Sequence, residues 1–411
     1  MVLALSMLNL AYFGIILLIG ILCSIIAKKI RIPSILLYVL SGIGIGYALR
    51  KSGSEYAVSL SGGVFITSVA ILALVMIVFD GSSRFRYRDF DQFAWNAAKL
   101  VIVFLILVVL FLGPVTYIVL GLGVLLSLLF ASLMIGSAAD VSFAVLKEGT
   151  KNKVLKTLEI ESIVNTPISV LIPFIIIGLI NKVQEIEVRA ILQQFLLQIV
   201  VGIGVGVLMG LIVFRVMRKY YAHVLSPLAV ITAAILTYVI AETDILRGNG
   251  VIAVVTLGLF FGNFTIKKKE ELHEFSATFT QLLEIIVFVL IGINLRFDLM
   301  SKDFLLLSCL LFLVYLIIRF VAVHISFRRD FNEKEKIFMS LNAPKGIAVA
   351  VIAFSLASGA VTTLTLEKLT PVINMVMLFI LYSIILSSII TRFSRYFTRF
   401  EVIKKGSKEV I

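Results

Sequence analysis

Residues 136–167 read GSAADVSFAVLKEGTKNKVLKTLEIESIVNTP, and this stretch decides the fold. Two carboxylates, Asp140 and Glu161, stand in sequence that otherwise belongs in lipid. A charge at the centre of a bilayer costs at least ~2.5–3.5 kcal/mol on insertion scales, so an intramembrane carboxylate is functional by default. The small residues Gly136-Ser137-Ala138-Ala139 make a poor continuous helix and a good place for backbone to open towards an ion.

The surrounding chain fixes the class. It has 411 residues, 60% of them hydrophobic and only 15% charged, with a mean hydropathy of +1.11. Soluble proteins carry about 25% charged residues. Repeated apolar runs of about twenty residues each suffice to span a ~30 Å hydrocarbon layer as a helix. The alternating strands of an outer-membrane barrel are missing. The expectation is an all-α polytopic membrane protein. The first apolar run lacks a basic leader and reads as a retained helix rather than a cleaved signal. Cys23 and Cys309 both lie in apolar runs and give no case for a disulfide framework or a metal site. His223, His273 and His324 are scattered, which argues against a histidine cluster. The net charge of +13 reads as basic membrane-flanking loops, not as nucleic-acid binding.

Thirteen apolar segments are predicted, near 8–27, 33–49, 64–80, 97–121, 123–147, 157–181, 192–214, 225–241, 250–264, 276–293, 303–325, 336–357 and 370–391. The positive-inside rule tests that count. Of 37 lysines and arginines, 26 follow odd-numbered segments or lie in the tail, and 8 follow even-numbered ones. A miscounted span would scramble this alternation. The sequence therefore predicts thirteen transmembrane helices, with the N-terminus outside and the C-terminus inside. The basic tail (RFSRYFTRF and beyond) reads as an anchor at the anionic inner surface.

The fifth and twelfth segments each hold a break beside a charge: Gly136 to Asp140, and Asn342-Ala343-Pro344-Lys345-Gly346. Proline removes a helical donor and clashes with the preceding turn. The two breaks lie seven segments apart. Two six-helix halves joined by a seventh would then be inverted repeats, with broken helices 5 and 12 crossing at the midplane, where many secondary transporters hold their ion. Asp140, with Ser137 and Ser142 as the nearest hydroxyls, offers oxygen ligands to a hard cation such as Na⁺. The competing reading is an ion pair that only closes the bundle. Glu161 shares a helix face with Asn165, four residues on, while Thr166 points about 100° away. Two buried cations, Arg319 and Lys345, are available to neutralise these carboxylates, and Glu161 is expected to pair with one of them. Glu284, in QLLEIIVFVLIGINL, remains unassigned.

These residues resemble the cation:proton antiporter superfamily, and within it the sodium/proton exchanger branch. The resemblance rests on RIPSILLYVLSGIGIGY at 31–47, IVFDGSSRF at 77–85, SAADVSFAVL at 137–146, LEIESIVNTP at 158–167, GNGVIAVVTLGLFFGN at 248–263, VFVLIGINL at 287–295, Arg319 with its neighbours, and NAPKGIAVA at 342–350. It implies a homodimer with dimerisation helices (8–95 and 225–295), an ion-transporting core (96–181 and 303–391) that moves like an elevator, a linking helix (192–214) and a cytoplasmic tail (392–411). It implies exchange of Na⁺ or another monovalent cation for H⁺ across the cell membrane, with no cofactor. The family's fifth-helix aspartate falls on Asp140, its sixth-helix glutamate on Glu161, the asparagine of its Asn-Asp pair on Asn165, and its eleventh-helix arginine on Arg319. The twelfth-helix arginine falls on Lys345, a charge-conserving but not equivalent change.

Two departures stand out. The aspartate of the Asn-Asp pair falls on Thr166, which offers an ion a neutral oxygen but shuttles no proton. The Thr-Asp-Pro pattern around the fifth-helix aspartate is Ala139-Asp140-Val141. The leading expectation is a monovalent cation/H⁺ antiporter with Asp140 as the titrating ligand, Thr166 and Asn165 as neutral ligands or scaffolding, and Glu161, Arg319 and Lys345 as charge-compensating or gating groups. The alternatives are a changed ion selectivity or uncoupled transport on the same fold, and a transport-inactive membrane scaffold or sensor. An enzyme is disfavoured, because the sequence holds no Ser/His/Asp grouping, metal-ligand cluster or nucleotide loop.

Overall fold

A computed structural model gives the architecture. It describes residues 2–30, 32–51, 64–87, 92–138, 150–151, 153–182, 188–220, 225–264, 269–295, 300–328, 330–359, 361–362, 364–398 and 401–402. In chain order the helices are α1 (Val2–Ile30), α2 (Ser34–Lys51), α3 (Val64–Ser83), α4 (Gln92–Leu107), α5 (Gly113–Leu120), α6 (Val124–Leu133), α7 (Lys153–Lys182), α8 (Val188–Lys219), α9 (Leu225–Ala241), α10 (Gly250–Asn263), α11 (Lys269–Asn294), α12 (Lys302–Ser326), α13 (Glu333–Leu341), α14 (Ile347–Ala357), α15 (Leu366–Arg392) and α16 (Ser394–Phe397). A π-helical turn, Val108–Leu112, joins α4 to α5. Thr150–Lys151 and Glu401–Val402 make a two-residue antiparallel pairing; the described residues are otherwise helical or irregular.

Seven described spans are long and apolar enough to cross a membrane, and five shorter apolar helices accompany them. This is the pattern of a multi-pass membrane protein. Its outer faces are apolar: along α8, Leu196, Val200, Ile203, Leu208 and Leu211 are exposed, as lipid contact requires. Polar side chains turn inward instead, and Glu161, Asn165, Arg319 and Lys345 are all buried. Close crossings are made through small residues, the usual device in membranes. At the α2–α11 crossing Gly42 packs against Gly292, and a Cβ on Gly42 would stand 2.9 Å from the Gly292 Cα. Helix ends follow local rules. Gly121 closes α5 with φ of 64°, a left-handed conformation that glycine adopts without steric cost. Asn249 caps α10 by accepting from Ile252 N at 3.0 Å.

Both expected breaks are present. α6 ends at Leu133, and the chain runs on without helix from Gly136 to Ala138. The segment expected over 336–357 divides into α13 and α14, with Asn342 to Gly346 irregular between them. The proline supplies no donor there, and Gly346 is the extended N-cap of α14. Ala138 N donates to Pro344 O at 2.9 Å, so the two breaks meet backbone to backbone.

Candidate functional site

The site is built around that crossing. A broken helix leaves carbonyls at the end of its first half and N–H groups at the start of its second, each without a helical partner. At the end of α6 the orphaned carbonyls receive a cation from the other break. Lys345 Nζ donates to Met134 O at 2.5 Å and Gly136 O at 3.0 Å. It also donates to the Tyr315 hydroxyl at 2.8 Å. Lys345 is fully buried, and among the described residues its Nζ meets two carbonyls and one hydroxyl and no carboxylate. The complementary polarity of a helix C-terminus and an ammonium makes that tolerable. Its backbone N–H is held as well, donating to Ser383 Oγ at 2.9 Å.

Of the two cations considered for Glu161, it is Arg319 that the fold brings to it. Arg319 Nη2 donates to Glu161 Oε2 at 2.7 Å, with both side chains at most 1% exposed. The guanidinium carbon lies 4.9 Å from the centre of the Phe104 ring. Among the described residues, Nε and Nη1 of Arg319 have no hydrogen-bond acceptor, so the carboxylate is its principal polar support. The other oxygen of Glu161 accepts from Ser137 Oγ at 3.3 Å. Asn165, on the same face of α7, donates through Nδ2 to Ile135 O at 2.8 Å and to Ser137 Oγ at 3.1 Å. Ser162 Oγ donates to Ser137 O at 3.2 Å. One face of α7 thus ties the α6 break in place through Glu161, Ser162 and Asn165.

Thr166 does something else. It turns away from the ion pair and lines a cavity of about 340 Å³. Its hydroxyl donates to Ser162 O at 2.7 Å, a bond within its own helix. Pro167 and Pro173 interrupt the α7 hydrogen-bond ladder beyond it. Gly81 of α3 faces it so closely that a Cβ there would collide with Thr166 Cγ2. The cavity is lined by Gly136, Ser137 and Ala138 of the first break, Ser162 and Ser169 of α7 and Gly346 at the start of α14, together with Asp80, Gly81 and Arg84 from the end of α3 and Thr280, Gln281 and Glu284 of α11. Asp80 is bound to Arg84, Nη2 to Oδ2 at 2.7 Å. A second cavity of about 480 Å³ shares Asp80, Arg84 and Ala277 with the first, and continues it towards Arg86, Glu270, His273 and Glu274.

The described residues therefore unite Ser137, Glu161, Asn165, Thr166, Arg319 and Lys345 in one neighbourhood. Asp140 and Ser142 lie outside the described residues. Sequence reasoning missed Tyr315 and the α11 wall. Tyr315 stands one turn before Arg319, a spacing that places both on one face. The α11 wall was legible as Ala277, Thr280, Gln281 and Glu284, all at helical intervals.

A family model described as sodium/hydrogen exchanger, transmembrane, matches residues 14–395. The chain is 25% identical over 290 residues to the K(+)/H(+) antiporter NhaP of Alkalimonas amylolytica, covering 70% of this chain and 49% of that protein. It is 24% identical over 369 residues to Na(+)/H(+) antiporter 1 of Methanocaldococcus jannaschii, covering 84% and 83%. The structure of the sodium proton antiporter MjNhaP1 from that organism at pH 8 superposes with a TM-score of 0.78 at 21% identity, over 93% of this chain and 99% of that one. The chain spans about half the length of the first K(+)/H(+) relative. With its family model matched almost end to end, this chain belongs to the transmembrane sodium/hydrogen exchanger family.

Proposed function

We propose that this protein is a secondary antiporter that exchanges a monovalent cation for H⁺. The observation that carries the proposal is the meeting of the two breaks, Ala138 N to Pro344 O, beside an oxygen-lined cavity. Asp140 follows the first break and is the titrating ligand. A carboxylate there binds either a proton or a cation, and that alternative occupancy couples the two fluxes. Ser137, Ser142, Asn165 and Thr166 serve as neutral oxygen ligands or their supports. Glu161 with Arg319, and Lys345 with the α6 carbonyls, hold the broken helices in register and offset charge.

The cavity opens past Arg84 and Arg86, the side to which the positive-inside rule assigns the cytoplasm. The described state is on this reading inward-facing. The chain crosses the cell membrane thirteen times, N-terminus outside, and works as a homodimer in which α2, α3 and α11 belong to the stationary half.

Na⁺ is the first candidate cation. Thr166 motivates a second, K⁺, because a neutral oxygen in place of a carboxylate lowers the field strength of the site and favours the larger, less strongly hydrated ion. Relatives named for each ion exist among the proteins this chain resembles. The test is a cation series on purified protein in proteoliposomes with an internal pH dye. Proton flux driven by Na⁺, K⁺ or Li⁺ is the expected result, and the ranking assigns the cation. Silence with every cation at every pH overturns antiport and leaves the scaffold or sensor reading.

A further inference from the structure

We infer that α11 carries a second cation subsite in the cavity, built from Thr280, Gln281 and Glu284. The inference rests on the antiport reading for its purpose, but not for its geometry. Three observations support it.

The first is placement. Glu284 lies about 22 Å along α11 from Lys269 at 1.5 Å rise per residue, within a span long and apolar enough to cross the membrane. A carboxylate at such depth is expensive unless it faces a polar cavity. It does so: Ala277, Thr280, Gln281 and Glu284 recur at helical intervals, and all four line the cavity that Thr166 also lines.

The second is an unanswered oxygen. Thr280 is only 8% exposed, and its hydroxyl has no hydrogen-bond partner among the described residues. A threonine hydroxyl ordinarily returns to a carbonyl of its own helix, as Thr166 does here. A buried hydroxyl left open costs roughly 1–3 kcal/mol. At a cavity wall, an ion or its water recovers that bond.

The third is charge. Among the described residues the formal charges on the lining are two carboxylates, Asp80 and Glu284, and one guanidinium, Arg84, a balance on the acidic side. Where the family resemblance implies a carboxylate on α7 this chain has Thr166, and Glu284 of α11 lines the same cavity. Carboxylate, amide and hydroxyl oxygens suit a hard monovalent cation.

The test compares wild type with E284Q, E284D and T280V in two measurements. One is cation-driven proton flux in proteoliposomes; the other is thermal stabilisation of detergent-purified protein by Na⁺ and by K⁺. E284Q is expected to raise the half-saturating cation concentration about tenfold, equivalent to about 1.4 kcal/mol, and to abolish cation stabilisation. E284D is expected to stay within about threefold of wild type and T280V to lie between, since one neutral ligand contributes less than a charged one. A half-saturating concentration in E284Q within twofold of wild type overturns the subsite and leaves antiport standing. Cation stabilisation lost in E284Q, from a wild type that drives no proton flux, supports the subsite and overturns antiport. If E284Q does not fold, E284D with unaltered cation affinity together with T280V unaltered also overturns the subsite.

Discussion

Removing one member of the Glu161–Arg319 pair exposes what the pair contributes. The two side chains are at most 1% exposed and meet at 2.7 Å. Glu161→Gln leaves a guanidinium that has no other acceptor for Nε and Nη1 among the described residues. Breaking a buried ion pair at one end costs about 3–5 kcal/mol, chiefly as the penalty of the stranded charge. At roughly 1 °C per kcal/mol for a chain of this length, this is a fall of about 3–6 °C in melting temperature. Arg319→Met is expected to be as damaging, because among the described residues the carboxylate then keeps only the Ser137 hydroxyl as a hydrogen-bond donor. The double variant Glu161→Gln/Arg319→Met strands no charge, and replacing both partners of a buried pair is often neutral or better. It should therefore melt above either single variant. Scanning fluorimetry of the four purified proteins in one detergent closes the cycle. A double variant as unstable as the two single losses combined would refute the reasoning, since the two residues would then act independently.

Three further outcomes follow from the geometry. Lys345→Met leaves Met134 O and Gly136 O without their donor, and each buried carbonyl so stranded costs about 1–3 kcal/mol; Lys345→Met should melt well below wild type in the same fluorimetric assay. Gly81→Ala drives a methyl into Thr166 Cγ2 and should cost about 1–3 kcal/mol by overpacking, while Thr166→Ser in the same chain removes the struck methyl and should restore most of the melting temperature. Glu333, at the solvent-exposed start of α13, accepts from Lys336 Nζ at 2.8 Å and meets His324 Nε2 at 2.9 Å. The lysine bond, then the histidine bond, hold its carboxyl below the usual 4.5. Its contribution is complete above 4.5 and is lost as pH falls through the depressed value, so Glu333→Gln should flatten the acid limb of a melting-temperature profile.

Much of the fold was legible because the signals are physical necessities in lipid. Long apolar runs must be helices, since no other single-segment structure satisfies its backbone there. Both breaks showed in small residues and proline beside a charge, and the structure has them at Gly136–Ala138 and Asn342–Gly346. What periodicity cannot specify is which buried charges meet. Glu161 had two cations within reach of the argument, and only three-dimensional packing separates Arg319, on its carboxylate, from Lys345, on the α6 carbonyls. Thr166 was read as a lost carboxylate; the fold adds that it faces a cavity, away from the ion pair. Glu284 stayed unassigned between a buried position and the dimer seam, because a lone acid in an apolar run does not reveal what its face of the helix meets. Thr280 and Gln281 lie on that same face, and a helical wheel of α11 would have grouped them.

The account turns on Asp140 as the group that alternates between proton and cation. Proton flux driven by a cation gradient, measured in proteoliposomes of wild type and Asp140→Asn at equal protein content, tests it most directly. The prediction is robust flux in wild type and none in Asp140→Asn for any of Na⁺, K⁺ or Li⁺. Flux in Asp140→Asn equal to that of wild type would contradict it, and would move the exchange chemistry to another carboxylate.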